Sequence, residues 1–436
     1  MEACIIKKVT IEKLWGIKDI ECQLNEDVNV IIGQNGSGKS TFLNLIEGVL
    51  QCDIPILMSV QFSSITLELN SKETKYIRLT QGQEDESLAY TYFFGDNIAF
   101  RFNSYEIGRR LMRSSYRNIV VEDIRNRLEG IVNISWLSVN RFNPLLDRNI
   151  GDNRSIGDVD ENQVNTKLRA LMHELVVYRL RLGTHINQLT TKQNQEVFSL
   201  LLFNKENDVY DPNKVQAYSQ MDPKSAQTSL FRVFNQLGIS SKKREEIREH
   251  IKAMSEAVEK VQNNVTLSLN DVFPLSLINR TMSLIEISKR YTEESDKIME
   301  PVNNYLKCLQ RFMEDKEFSF SDSTGELHID LKPIMSKDSK TELVGQKTIG
   351  YNSLSSGEKQ LLILLTQTLL QENKKYVFIA DEPELSLHID WQHKIIGAIR
   401  DLNPNAQIIV ATHSPEIAGK WQDNITNLQN VTTYGE

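Results

Sequence analysis

Apolar and polar residues alternate through Ile5-Ile6-Lys7-Lys8-Val9-Thr10-Ile11, alternate again from Ile17 to Leu24, and then close into the apolar run Val28 to Ile32. Period-two alternation predicts half-buried strands, and an unbroken apolar run before a glycine cluster predicts a strand buried on both faces. Thr41 to Gly48 follows with helical spacing, and Gly48 is the expected stop. Strand character returns between about residues 56 and 102, in Ser64-Ile65-Thr66-Leu67-Glu68-Leu69 and Tyr90-Thr91-Tyr92-Phe93-Phe94, which predicts a small antiparallel lobe.

From about residue 160 to 312 the period lengthens. Val164, Leu168, Leu171, Leu175, Tyr178 and Leu182 recur at spacings of four and three, as do Ile247, Ile251, Met254, Val258 and Val261. Tyr291, Ile298, Val302, Tyr305 and Leu309 repeat the pattern, with Pro301 as a kink or a helix start. These stripes predict a helical bundle; no segment sustains the three or four heptads of a coiled coil. The polar stretches Gly151 to Asp160 and Asn204 to Gln227 read as loops between the helices. A hairpin is expected from Glu317 to Leu331, turning through Ser323-Thr324-Gly325. After it come Gly357 to Gln371 (helix), Tyr376 to Ala380 (strand), Ile389 to Asp401 (helix) and Gln407 to Ala411 (strand). Such alternation predicts an α/β fold with a mostly parallel sheet covered by helices.

A chain of 436 residues can form more than one domain, and 40% apolar and 25% charged residues fit an ordinary globular protein. The net charge of −8 argues against a surface coated for nucleic acid, though not against a local patch such as Arg101, Arg109, Arg110, Arg113 and Arg117. Because the chain is acidic overall, pairing with Glu122, Asp123 or other acids on a solvated face is the simpler reading of that patch. Cys4, Cys22, Cys52 and Cys308 have no zinc-ligand spacing, and His173, His185 and His250 show none either. Reduced thiols in the cytoplasm are expected, with no leader and no membrane span.

Two segments carry recognisable chemistry. Gly33-Gln34-Asn35-Gly36-Ser37-Gly38-Lys39-Ser40 fits Gly, four residues, Gly-Lys-Ser, between an expected strand and helix. Its glycines let backbone N–H groups face phosphates, Lys39 reaches the terminal phosphates, the Ser40 hydroxyl ligates magnesium, and Thr41 continues the cradle into the helix. Tyr376 to Ala380 closes on Asp381 and Glu382, placing Asp381 beside magnesium and Glu382 where it can polarise a water.

With these residues and Leu354-Ser355-Ser356-Gly357-Glu358-Lys359-Gln360, the chain resembles the ATP-binding-cassette ATPases, in the soluble branch containing the SMC and RecF proteins. Ser356 and Glu358 replace the usual Gly and Gln of that superfamily's signature. The resemblance implies a P-loop ATPase head that binds ATP and Mg2+. Residues 1–145 and 316–436 would supply its two halves, with a small β lobe. Residues 146–315 would form a helical insertion for dimerisation or partner binding. It implies that Ser355 and Gly357 complete the site of a second copy in a homodimer or larger homo-oligomer. It also implies that His413, after Ile408 to Ala411, contacts the γ-phosphate, so that Lys39, Glu382 and His413 carry the catalysis. His388 stands where many relatives have an aspartate, and Asn140-Arg141 where a magnesium-sensing glutamine is expected.

Asp381-Glu382-Pro383-Glu384-Leu385-Ser386-Leu387-His388 is similar to the OLD-family nucleases and to ATPase subunits of bacterial anti-phage systems. With the sequence ending at Glu436, no Toprim nuclease domain is expected after His413. The resemblance then points to PtuA-like ATPases of Septu-type defence, and to a separate HNH-type nuclease subunit as partner. A RecF- or SMC-like ATP-gated DNA clamp in repair or chromosome maintenance is the alternative, with nucleic acid as its partner. A nuclease in its own right is a third reading, against which no HNH motif is found.

Overall fold

The structure, a computed structural model, describes residues 4–84, 87–95, 97–103, 119–138, 156–200, 202, 216, 218–220, 222–236, 244–321, 323–332, 347–384 and 387–435. Arg109, Arg110, Arg113 and Arg117 and the pair Asn140-Arg141 lie outside these residues. Two compact units are present, Met1–Val176 with Asn304–Glu436, and Val177–Asn303. Both limits of the second unit fall inside the span 146–315 that the resemblance assigns to a helical insertion.

The first unit is built on a five-stranded sheet in which every pairing is parallel. Its order is β14 (Ile425–Asn427), β3 (Val28–Ile32), β13 (Ala406–Ala411), β12 (Tyr376–Asp381) and β8 (Ile134–Ser138). All six residues of β13 and four of the five in β3 are buried, as expected of parallel strands covered on both faces. The second sheet is larger than the expected lobe. Strands β4 (Ser64–Leu69), β5 (Tyr76–Glu84), β6 (Ser87–Phe94) and β7 (Asn97–Asn103) continue through β1 (Ile6–Leu14), β2 (Lys18–Gln23) and β15 (Thr432–Tyr434) into seven antiparallel strands. The extension arises because β1 pairs with β4 on one side and β2 on the other.

Helix α1 (Lys39–Gln51) lies in the core that these sheets share. Phe42, Leu43, Leu45, Ile46 and Val49 join Ile31, Val377, Ile379 and Ile409 of the parallel sheet and Val9, Ile11, Leu67 and Ile77 of the antiparallel one. Each such side chain contributes about 1.5–3 kcal/mol of burial. The Tyr92 hydroxyl donates to the Val49 carbonyl at 3.0 Å, fastening β6 to the helix. Contrary to expectation, Gly48 does not end α1. It is buried, and a Cβ there would lie 3.1 Å from Ile56 Cγ2 and Leu57 Cδ2 of α2 (Ile54–Met58). The glycine permits a close helix contact, and Cys52, in the left-handed region at φ 48, is the actual cap.

Helix α3 (Ile119–Glu129) precedes β8. In the second unit, α5 (Pro223–Gln236) and α6 (Arg244–Gln262) lie between parts of α4 (Ile156–Ser199) and α7 (Leu269–Phe312) in sequence. The periodic residues Leu168, Leu171, Leu175, Tyr178, Ile247, Ile251, Met254, Val258, Tyr291, Val302, Tyr305 and Leu309 are all buried. The helices outrun those stripes. Residues 156–160 and 223–227, expected as loops, are helical, while 151–155 and 204–215 lie outside the described residues. Asp222 explains α5: its carboxylate accepts from the N–H groups of Lys224 and Ser225 at 3.3 and 3.0 Å, and Pro223 occupies the first helical position. Pro301 is interior to α7 rather than its start.

The expected hairpin is β9 (Lys316–Phe320) and β10 (Leu327–Leu331), joined by β11 (Lys347–Ile349) in a three-stranded antiparallel sheet. Helices α8 (Ser356–Leu370) and α9 (Ile389–Leu402) flank β12 in sequence. Among the described residues no helix is long and apolar enough to cross a membrane. Cys4, Cys22, Cys52 and Cys308 are buried and form no disulfide.

Candidate functional site

Parallel strands β3, β13 and β12 are adjacent, so the segments leaving their C-terminal ends emerge side by side, where ligands of open α/β sheets collect. The segment after β3 is Gly33–Ser40. Gly36 and Gly38 hold φ values of 78° and 102°, which a side chain would disfavour, and Gly38 leads into the N-terminus of α1. Gln34, Asn35 and Gly36 are exposed, Ser37 is half-buried, and Ser40 and Thr41 sit half-buried in the first turn of α1. Turn and helix terminus together present backbone N–H groups and the positive end of a dipole.

Lys39 is buried, and its ammonium donates to the carbonyls of Gly33 at 2.8 Å and Gln34 at 3.3 Å. Burial lowers its pKa, while the charges of Glu382, Asp381 and Glu384 work in the opposite direction. The lysine is thus held over the loop, facing the carboxylates that leave β12.

Asp381 ends β12, and Glu382 takes a left-handed conformation at φ 49, which turns the chain immediately after the strand. The Glu382 N–H donates to the Ala411 carbonyl at 2.8 Å, stitching this turn to the end of β13. On that side His413 Nε2 lies 3.1 Å from Glu382 Oε1. Glu384, buried nearby, accepts at Oε1 from the Thr412 hydroxyl and from the His413 N–H. Burial raises the Glu384 pKa, and the neighbouring charge of Glu382 adds to that against the hydrogen bonds from Thr412 and His413. Lys39, Asp381, Glu382 and His413 therefore converge.

Ser355 and Gly357 belong to another local structure. Ser355 caps α8: its hydroxyl accepts from the Glu358 N–H, and the Glu358 carboxylate accepts from the Ser355 N–H at 2.8 Å, a reciprocal capping box. Ser355 is exposed and Gly357 buried. His388 caps α9, its ring nitrogen accepting from the Asp390 N–H at 3.4 Å.

Two participants escaped the sequence reading. Trp15, in the turn between β1 and β2, stands against Gly38: a Cβ there would lie 3.0 Å from Trp15 Cη2. The Lys18 ammonium is 4.7 Å from the centroid of the Trp15 ring. The signal available was an aromatic residue before Gly16 in a polar turn. Glu384 lies within the motif after Asp381, and its alternation with Glu382 along a turn is the available sign.

The residues fit a magnesium nucleotide. The Ser40 hydroxyl and Asp381 carboxylate are hard oxygen donors, and among the described residues no group of three or more His, Cys, Asp or Glu side chains forms a protein-only cage. Two protein oxygens, with the remaining positions left to phosphate and water, is the donor set that magnesium takes beside a nucleotide.

The chain is similar to a probable ATPase of retron Ec83 from Escherichia coli, 27% identical over 169 residues, covering 32% of this chain and 30% of that protein. It is similar also to an uncharacterised ABC transporter ATP-binding protein of Haemophilus influenzae, 38% identical over 79 residues, covering 18% of this chain and 29% of that protein. The chain thus spans less than a third of either relative's length. Among solved structures, a Pyrococcus furiosus Smc head domain with an extended coiled coil, bound to the C-terminal domain of ScpA, aligns over 99% of this chain and 96% of its own, at 13% identity and a TM-score of 0.42. The family described as AAA ATPase domain matches residues 5–418, from β1 to beyond His413. The chain belongs to the AAA ATPase domain family.

Proposed function

We propose that the protein binds ATP with Mg2+ and hydrolyses it to ADP and phosphate. The carrying observation is the convergence of Lys39, Glu382 and His413 on the exits of three adjacent parallel strands. Lys39 turns from the loop carbonyls toward the β- and γ-phosphates, and the N–H groups of Gly33–Thr41 hold the remaining oxygens. Ser40 and Asp381 would hold magnesium, which would supply charge neutralisation at the transferring phosphate. Glu382 accepts the proton of the attacking water, and His413 lies where it registers the γ-phosphate. The exposed Trp15 face beside Gly38 offers a stacking surface for the base.

The exposed cap at Ser355, with Gly357, serves the nucleotide of a second copy, so that ATP closes a head-to-head homodimer and hydrolysis reopens it. In this reading the chain is the ATPase subunit of a bacterial anti-phage complex of the Septu type and controls a separate HNH-type nuclease. The Asp381-to-His388 motif and the likeness to a retron's probable ATPase favour that assignment over a DNA clamp.

Glu382→Gln tests the chemistry. The variant is expected to bind ATP as the wild type does and to lose turnover, with dimer mass retained in ATP. Wild-type turnover in the variant rejects Glu382 as the base. Co-purification with the product of the neighbouring reading frame, followed by mass measurement, tests the nuclease partner.

A further inference from the structure

None of the roles above employs Glu384, although its placement is demanding. It is 8% exposed. Oε1 accepts from the Thr412 hydroxyl and, at 3.3 Å, from the His413 N–H, whereas Oε2 is buried with no hydrogen-bond partner among the described residues. Its backbone carbonyl accepts from the Leu387 N–H at 3.0 Å and from Gln392 Nε2 at 3.4 Å, which anchors the residue at the start of α9. Its side chain then crosses to the exit of β13. A buried carboxylate with one oxygen unpaired is a poor way to fill space, because desolvation is offset only where hydrogen bonds are made. What this carboxylate supplies that an apolar side chain does not is an acceptor for both donors of the Thr412–His413 turn.

We propose that Glu384 is a positioning residue: by gripping Thr412 Oγ1 and the His413 N–H, it fixes the turn after β13 so that the His413 imidazole meets Glu382. Its kinetic consequence rests on the ATPase reading above; its geometric consequence is present without nucleotide. Among the described residues the grip is one of three links between the two turns, beside Glu382 N–H to Ala411 O at 2.8 Å and His413 Nε2 to Glu382 Oε1 at 3.1 Å. It is the link that sets where residue 413 leaves the strand.

Histidine-labelled NMR of the nucleotide-free protein, with Glu384→Ala and Glu384→Gln, is the test. Glutamine keeps an acceptor oxygen for both donors; alanine keeps none. The His413 ring signals are expected to move in Glu384→Ala and to remain at their wild-type positions in Glu384→Gln. In turnover assays Glu384→Ala should lower kcat roughly tenfold or more while ATP affinity stays within about threefold, and Glu384→Gln should restore kcat. On a His413→Ala background, Glu384→Ala should add no further loss, since it acts through that histidine. Unmoved His413 signals in Glu384→Ala, or a glutamine variant as impaired as the alanine one, overturns the proposal. If the alanine variant does not fold, Thr412→Val removes one of the two donors and must move the same signals. A wild-type protein that hydrolyses no ATP overturns the ATPase reading and leaves the NMR result to decide on Glu384.

Discussion

Lys316 Nζ lies 2.6 Å from Glu358 Oε1, which fastens β9 to the turn that opens α8. The other oxygen of the same carboxylate accepts from the Ser355 N–H and hydroxyl at 2.8 and 2.9 Å. The exposed serine proposed to reach a second copy is therefore held by a largely buried ion pair whose acid lies three residues further along the chain. Lys316 offsets the charge of Glu358.

Lys316→Met leaves the Glu358 carboxylate without its cation. The expected loss is about 2–4 kcal/mol, less than for a fully buried pair because the Glu358 side chain retains 16% exposure. Burial pushes the Glu358 carboxyl up, but the bonds from Lys316 and Ser355 outweigh it and hold the group below its ordinary range. A lowered carboxyl stabilises the fold above the unfolded value, about pH 4.3, and that stabilisation disappears as pH falls through the lowered folded value. Urea denaturation should show the difference between wild type and variant at pH 7 and its shrinkage in acid. Equal midpoints at pH 7 refute the prediction.

Lys39→Ala removes the buried ammonium over the loop. A charge-assisted contact of this kind contributes about 1.5–3 kcal/mol, so ATP affinity should fall roughly 10- to 150-fold. Calorimetric titration reads this directly, and affinity within a factor of two of wild type counts against phosphate binding at Gly33–Ser40.

Position 48 tests packing separately from chemistry. Gly48→Ala introduces a close contact with Ile56 and Leu57 but gains helix propensity of about 1 kcal/mol, so a small net change is expected. Gly48→Leu should lower stability by about 1–3 kcal/mol through overpacking. A leucine variant that melts with the wild type would show that α2 yields freely.

Acid should loosen the turn between α6 and α7. Hydrogen bonds from Lys260 and Ser268 pull the Asp271 carboxyl down from 3.8 to about 2. Its stabilisation is present above the unfolded value and is lost as pH falls from about 4 toward 2. Asp271→Asn should flatten that part of the acid profile, read by hydrogen exchange at residues 263–271. An unchanged profile argues that the Lys260 contact, 2.6 Å in the structure, contributes little.

Much of this molecule is legible in its sequence for a simple reason: apolar runs flanked by chemistry have few alternatives. Val28–Ile32, Tyr376–Ala380 and Ile408–Ala411 are too apolar to lie at a surface, and their polar successors Gly33, Asp381 and His413 emerge together once the strands pair in parallel. Periodicity likewise anticipates the burial of Leu168, Ile251 and Tyr305. The failures are tertiary. Gly48 reads as a stop because its local cost is visible, whereas the helix approaching it from α2 is not. Asn204 to Gln227 reads as a loop by its polarity, and only the structure shows that Asp222 caps a helix inside it. Trp15 and Glu384 earn their places from partners distant in sequence, Gly38 and Thr412, which no local pattern reveals.

The strand that carries the phosphate loop also constrains how the protein is born. β3 has two neighbours, β13 and β14, and Val28 waits for Ile408. During synthesis the chain must emerge from the ribosome as far as β13 (Ala406–Ala411) before that strand finds a partner, while residues 177–303, contiguous in sequence, can pack earlier. Until then Val28–Ile32 is an apolar strand with both edges open, the kind of segment that recruits foreign strands. Nucleotide binding accordingly reports a chain made past β13, and early termination before residue 406 should yield an aggregating product rather than a partly active one.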